Sequence, residues 1–134
     1  MMNVFIVEDS EAMRESLRSM LSEFHDVKIA GYAADEKGAI EQINALLPDV
    51  VILDLNLQSG TGVAVLKNVK KHHPEIKVMV LTNCNGELYV DACKRANADY
   101  FFDKSFQFME VREVFLNWGQ TGQLDRKFDG RLSD

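Results

Sequence analysis

Five polar residues of the chain stand where apolar runs end. Glu8 and Asp9 follow "NVFIV", Asp54 follows "VVIL", Thr82 follows "KVMVL", and Lys104 closes "YFFDK". Carboxylates gathered together hold a hard cation such as magnesium, and a carboxylate is also a nucleophile toward phosphorus, giving an aspartyl phosphate. A short hydroxyl and an ammonium group can take up the charge of a phosphoryl group in transfer. Each residue alone has a plainer reading. The acids can be solvated strand ends, "EDSEAM" can simply open a helix, and Lys104 can lie on the surface. Taken jointly, such types at matching ends point to one site.

The elements that must position them alternate along the chain. Runs at 3–7, 27–31, 50–53, 77–81 and 100–102 read as strands. Between them lie apolar stripes at helical spacing. Met13, Leu17, Met20, Leu21 and Phe24 form the first; Ile40, Ile43 and Leu47 form the second, capped by Asp35 and stopped by Pro48. Val65, Leu66 and Val69 form the third, a fourth helix runs from about Glu87 to Ala96, and Val111, Val114, Phe115 and Trp118 form the fifth. These stripes read as core faces. The alternation predicts an α/β fold, a five-stranded parallel sheet with five flanking helices, doubly wound in the flavodoxin-like manner. If the strand order is 2-1-3-4-5, the first and third strands meet at the switch point where ligands bind in such sheets. Asp9 and Asp54 then stand about 4.8 Å apart at the backbone. Their repulsion calls for a proton or a cation between them. The main-chain carbonyl of Asn56 is a further candidate metal ligand beside Glu8, Asp9 and Asp54.

Composition narrows the function classes. The chain has 134 residues, 46% hydrophobic and 27% charged, with a net charge of -6, which gives no electrostatic footprint for direct nucleic-acid binding. No apolar stretch approaches a membrane span, and the start lacks the pattern of a cleaved leader. Cys84 and Cys93 lack metal-ligand spacing, which suits reduced thiols in the cytoplasm. "QSGTG" lacks the lysine of a nucleotide-binding loop, so ATP is not the expected direct donor. Residue 56 is Asn, so no second acid stands two places after Asp54 as phosphohydrolases of similar folds require. That favours a switch over a turnover enzyme. Residues 1–118 read as one domain and 119–134 as a polar, glycine-punctuated tail or linker, with a weak repeat of Leu124, Phe128 and Leu132.

Together, Glu8–Asp9, "DLNLQSGTG", "VLTN" and "FFDKS" resemble the receiver domain of two-component response regulators, the chemotaxis receiver among them, over roughly residues 3–118. The resemblance implies that Asp54 accepts a phosphoryl group from a sensor histidine kinase or phosphotransfer protein, with Mg²⁺ as cofactor held by Glu8 and Asp9. It implies that Thr82 moves to meet the phosphate, that Lys104 pairs with it, and that Phe101 swings inward with Thr82. It also implies a switched face of fourth helix, fifth strand and fifth helix for docking or homodimerisation, and a role for positions 56 and 84 in phosphoryl lifetime. Relatives often control transcription through an output domain. The chain departs from the family in carrying Gln58 and Ser105 where prolines are common, Asn83 after Thr82, and Phe101 in place of tyrosine. The Lys104–Ser105 bond, cis in relatives, is thereby in question. A docking module that needs no phosphate is the alternative reading.

Overall fold

The computed structural model describes residues 1–121. Its elements follow the predicted alternation: β1 (Met2–Val7), α1 (Glu11–Leu21), β2 (Val27–Ala33), α2 (Glu36–Leu46), β3 (Val50–Leu53), α3 (Gly62–His72), β4 (Lys77–Thr82), α4 (Glu87–Arg95), β5 (Tyr100–Asp103) and α5 (Phe108–Thr121). The five strands form one sheet in the order β2-β1-β3-β4-β5, every neighbouring pair parallel.

The strands alternate their side chains between two cores. Phe5, Val7, Val51, Leu53, Val78, Val80 and Phe101 face one side, where Ile43 of α2, Leu66 of α3 and Val90 of α4 cover them. Val4, Ile6, Val50, Ile52, Met79, Leu81 and Tyr100 face the other, under Leu17 and Leu21 of α1 and Val111 and Phe115 of α5. β3 is buried at all four positions, as its unbroken apolar run requires of a strand covered on both faces. β2, an edge strand, is only partly buried along most of its length.

Helix starts are written locally. Ser10, Asp35 and Thr61 each cap a helix by accepting a main-chain N–H three residues on, from Met13, Gly38 and Ala64. Three expectations need correction. Leu47 is no core residue: it is 54% exposed and adopts φ 48°, because Pro48 forbids another helical turn and the chain reverses there. Phe24 lies past the end of α1, where its ring packs 6.2 Å from that of Phe115. The last helix does not stop at Trp118 but runs through Gly119 to Thr121, so one glycine's penalty of about 1 kcal/mol does not break it. The rest of the expected tail, with Leu124, Phe128 and Leu132, lies outside the described residues.

Candidate functional site

The carboxyl ends of β1, β3, β4 and β5 bring the predicted residues together. After β1, the Glu8 amide donates to the Ala33 carbonyl, which fixes the chain as it turns toward α1. Glu8 is buried and Asp9, next in sequence, is exposed. The Ser10 amide donates to Glu8 Oε2 at 3.0 Å, and Arg14 Nη1 donates to the Glu8 carbonyl at 2.8 Å. After β3, the Asp54 amide donates to the Val7 carbonyl at 2.9 Å, so the acceptor candidate extends the pairing of β3 with β1 by one residue.

Asp54 is 5% exposed, and its carboxylate is fully engaged. Thr82, the last residue of β4, donates its hydroxyl to Oδ1 at 2.8 Å, and the Asn56 amide donates to the same oxygen at 3.2 Å. Lys104 Nζ lies 2.8 Å from Asp54 Oδ2 and 2.8 Å from Glu8 Oε1. Lys104 itself is held by its amide, which donates to the Thr82 carbonyl. In this conformation the Thr82 hydroxyl touches Asp54, and Phe101 is fully buried in the core beneath α4. The Cys84 amide donates to Thr82 Oγ1 at 3.1 Å and orients that hydroxyl.

Charge is concentrated here. Glu8, Asp9 and Asp54 each offer an oxygen within 4.8 Å of the others. At that range two carboxylates repel by about 3 kcal/mol at an effective dielectric of about 20. Three carboxylates against the single ammonium of Lys104 leave a formal charge of minus two, which a divalent cation balances. An all-oxygen set suits a hard ion that keeps several waters. Burial raises the Glu8 carboxyl above its ordinary value, with Asp54 adding to this, and the bonds from Lys104 and Ser10 do not cancel it. Burial acts against the charge of Lys104, but its bonds to Asp54 and Glu8 outweigh that and hold its pKa above the ordinary lysine value.

The loops carry the departures noted in sequence. Gln58 donates its amide to the Ala34 carbonyl at 3.1 Å, a bond that a proline could not make. Among the described residues no peptide bond is cis, so Lys104–Ser105 is trans. The Ser105 hydroxyl donates to Asn83 Oδ1 at 2.9 Å, and Asn85 donates to the Asp103 carboxylate, joining the loops that follow β4 and β5. The Asn56 side chain points to solvent. Cys93 is no nucleophile candidate, since burial pushes its thiol up to about 12.

Sequence reasoning missed two positioning residues. A Cβ on Gly62 would collide with the main-chain oxygen of Asp54 and lie 2.6 Å from Leu55 Cα, so only glycine lets α3 begin against the Asp54 backbone. Nothing in the sequence around Gly62 marks that contact. Arg14 spaced at i+6 from Glu8 carried no motif at all, and its guanidinium sits 4.6 Å from the centroid of the Tyr32 ring.

The family model of the response regulator receiver domain matches residues 4–115. The chain belongs to the response regulator receiver domains. It is 30% identical over 111 residues to the response regulator protein VraR of Staphylococcus aureus, covering 83% of this chain and 53% of that protein. It is 40% identical over 81 residues to a protein-glutamate methylesterase/protein-glutamine glutaminase of Methanosarcina acetivorans, covering 60% of this chain and 23% of that protein. The chain thus spans about half, or less, of the length of these relatives. The crystal structure of the response regulator domain of Thermotoga maritima CheB superposes with a TM-score of 0.76 at 28% identity, over 87% of this chain and 91% of that one. Among the described residues no helix is long and apolar enough to cross a membrane.

Proposed function

We propose that this receiver is a phosphorylation switch of a two-component system, and that Asp54 is its acceptor. The observation that carries this is the convergence on one carboxylate of a hydroxyl, an amide and an ammonium group, with two more carboxylates beside it. In the transfer, an Asp54 carboxylate oxygen forms a bond to phosphorus as the bond from phosphorus to the imidazole of a sensor histidine kinase or phosphotransfer protein breaks. Glu8, Asp9 and Asp54, with the Asn56 carbonyl, would hold Mg²⁺. The ion would supply positive charge against the phosphoryl oxygens. Lys104, freed from its pairing with Asp54 Oδ2, places its charge on the same group, and Thr82 and the Asn56 amide donate hydrogen bonds to it.

Thr82 and Phe101 form the switch pair. The phosphoryl group acts by population shift: it favours the arrangement in which Thr82 is drawn to Asp54 and Phe101 is buried. The output is the α4–β5–α5 face, where Leu88, Tyr89, Met109 and Leu116 are exposed and suit a partner or a second copy of the chain. The unit at residues 1–118 acts in the cytoplasm and passes its signal on without binding nucleic acid itself. Where an output domain follows residues 119–134, as linker, transcription is the controlled process. With Asn56 in place of an acid, the site holds its phosphoryl group rather than turning substrate over. The test is intact mass after acetyl phosphate and Mg²⁺: the wild type gains one phosphoryl group and Asp54→Asn gains none. Equal uptake by the variant would overturn the assignment.

A further inference from the structure

The loop between Asp54 and α3 is closed at both ends on the acceptor's own backbone, since Gly62 packs on the Asp54 carbonyl and donates its amide to Leu55. What fixes its middle is a different element, the first turn of α2. Glu36 donates its amide to the Ser59 carbonyl at 3.0 Å and accepts the Thr61 amide on its carboxylate Oε1 at 3.0 Å. Gly60, at φ +80°, lies so close that any Cβ there would collide with Glu36. Thr61 in turn forms an isolated antiparallel bridge with Asn56, and the Asn56 amide donates to Asp54 Oδ1. A continuous path therefore runs from Glu36 through Thr61 and Asn56 to the acceptor carboxylate.

We propose that Glu36 is a positioning residue for Asp54: its carboxylate, at the solvent-facing edge between α2 and the loop, holds Thr61 so that Asn56 stays against the acceptor oxygen. This rests on the reading of Asp54 as acceptor and adds to it a control point that lies off the site. Glu36 touches no reacting atom. Its effect is on where the Asn56 main chain sits, and so on the two properties that depend on that main chain, Mg²⁺ affinity and the lifetime of the phosphoryl group. Gly60 serves the same path by giving Glu36 room to reach.

The test compares wild type, Glu36→Ala, Glu36→Gln, Gly60→Ala and Lys37→Ala, all full-length, at a temperature where circular dichroism reports each fully folded. Mg²⁺ dissociation constants are measured by calorimetry and phosphoryl decay by intact mass after acetyl phosphate. Glu36→Ala and Gly60→Ala are expected to shift both readouts by roughly threefold to tenfold, the range one hydrogen bond is worth. Glu36→Gln keeps an acceptor oxygen and is expected to match the wild type, as is Lys37→Ala on the exposed face of the same helix. A folded Glu36→Ala protein with wild-type Mg²⁺ affinity and decay would overturn the proposal, and so would a Gln variant as impaired as the Ala one. A wild type that takes up no phosphoryl group would instead strike the acceptor reading, and the Mg²⁺ arm would then decide on Glu36 alone.

Discussion

At the scale of single residues, the site is a balance of charges that the fold holds off neutrality. Lys104 bridges Glu8 and Asp54, yet Glu8 remains harder to ionise than an ordinary glutamate because it is buried. A carboxyl raised in the folded state contributes stability that is present below its unfolded value, near 4.5, and lost as pH rises through its folded value. Glu8→Gln fixes the neutral form at every pH. It is expected to melt above the wild type at pH 7 and to lose that advantage as pH falls toward 4.5, which thermal unfolding across pH measures. An unchanged gap across that range would contradict the burial argument. The same balance predicts that Lys104→Met binds Mg²⁺ several-fold more tightly, since a positive charge leaves the carboxylates, while its phosphoryl uptake slows. Calorimetry and timed mass spectra check the two halves. The charged groups themselves were legible in sequence because each ends an apolar run, which tells where the side chain emerges. Glu36 and Arg14 were not, because their contacts lie in three dimensions and leave no spacing to read.

At the scale of elements, two features decide whether the loops meet in register. Gly62→Ala would drive a methyl group into the Asp54 carbonyl, an overpacking cost of roughly 1–3 kcal/mol. We expect a lower melting temperature and slower phosphoryl uptake together, because the strain falls on the backbone of Asp54, the proposed acceptor. At the amino ends of the strands, Lys70 of α3 donates to Asp99 Oδ2 at 2.7 Å and to the Ile76 carbonyl at 2.6 Å, while the Val78 amide donates to the same Asp99 oxygen at 2.9 Å. This pair, 7% and 1% exposed, ties α3 to the starts of β4 and β5. Lys70→Met leaves a buried carboxylate short of its cation and is expected to cost about 3 kcal/mol or more, a fall of roughly 10 °C in melting temperature. The loss should spare the Mg²⁺ affinity of the distant site. In sequence nothing sets Lys70 apart from Lys71 and His72, its basic neighbours in the last turn of α3. The helix stripes were readable because burial follows the 3.6-residue period, but element ends were not: Leu47 and Gly119 were decided by Pro48 and by helix propagation.

At the scale of the whole molecule, strand order decides which residues meet, since in β2-β1-β3-β4-β5 the strand of Asp54 lies between those of Glu8 and Thr82, with Lys104 one strand further on. That order followed from alternation, right-handed crossovers and the family's pattern together, because unbroken apolar strands identify a parallel sheet but not which strand lies in its middle. The exposed side chains of α4 and α5 give the molecule its outward reading. Light scattering before and after acetyl phosphate is expected to report association that Leu88→Glu abolishes without changing uptake, and a monomer under both conditions would point to a different partner for that face. The most direct test of the central claim is to locate the phosphoryl group. Borohydride reduces an acyl phosphate to the alcohol, so treated protein, digested and sequenced by tandem mass spectrometry, carries homoserine at the modified position. The account predicts homoserine at residue 54 and at no other carboxylate. Homoserine at residue 9, or a phosphoryl group that resists reduction, would contradict it.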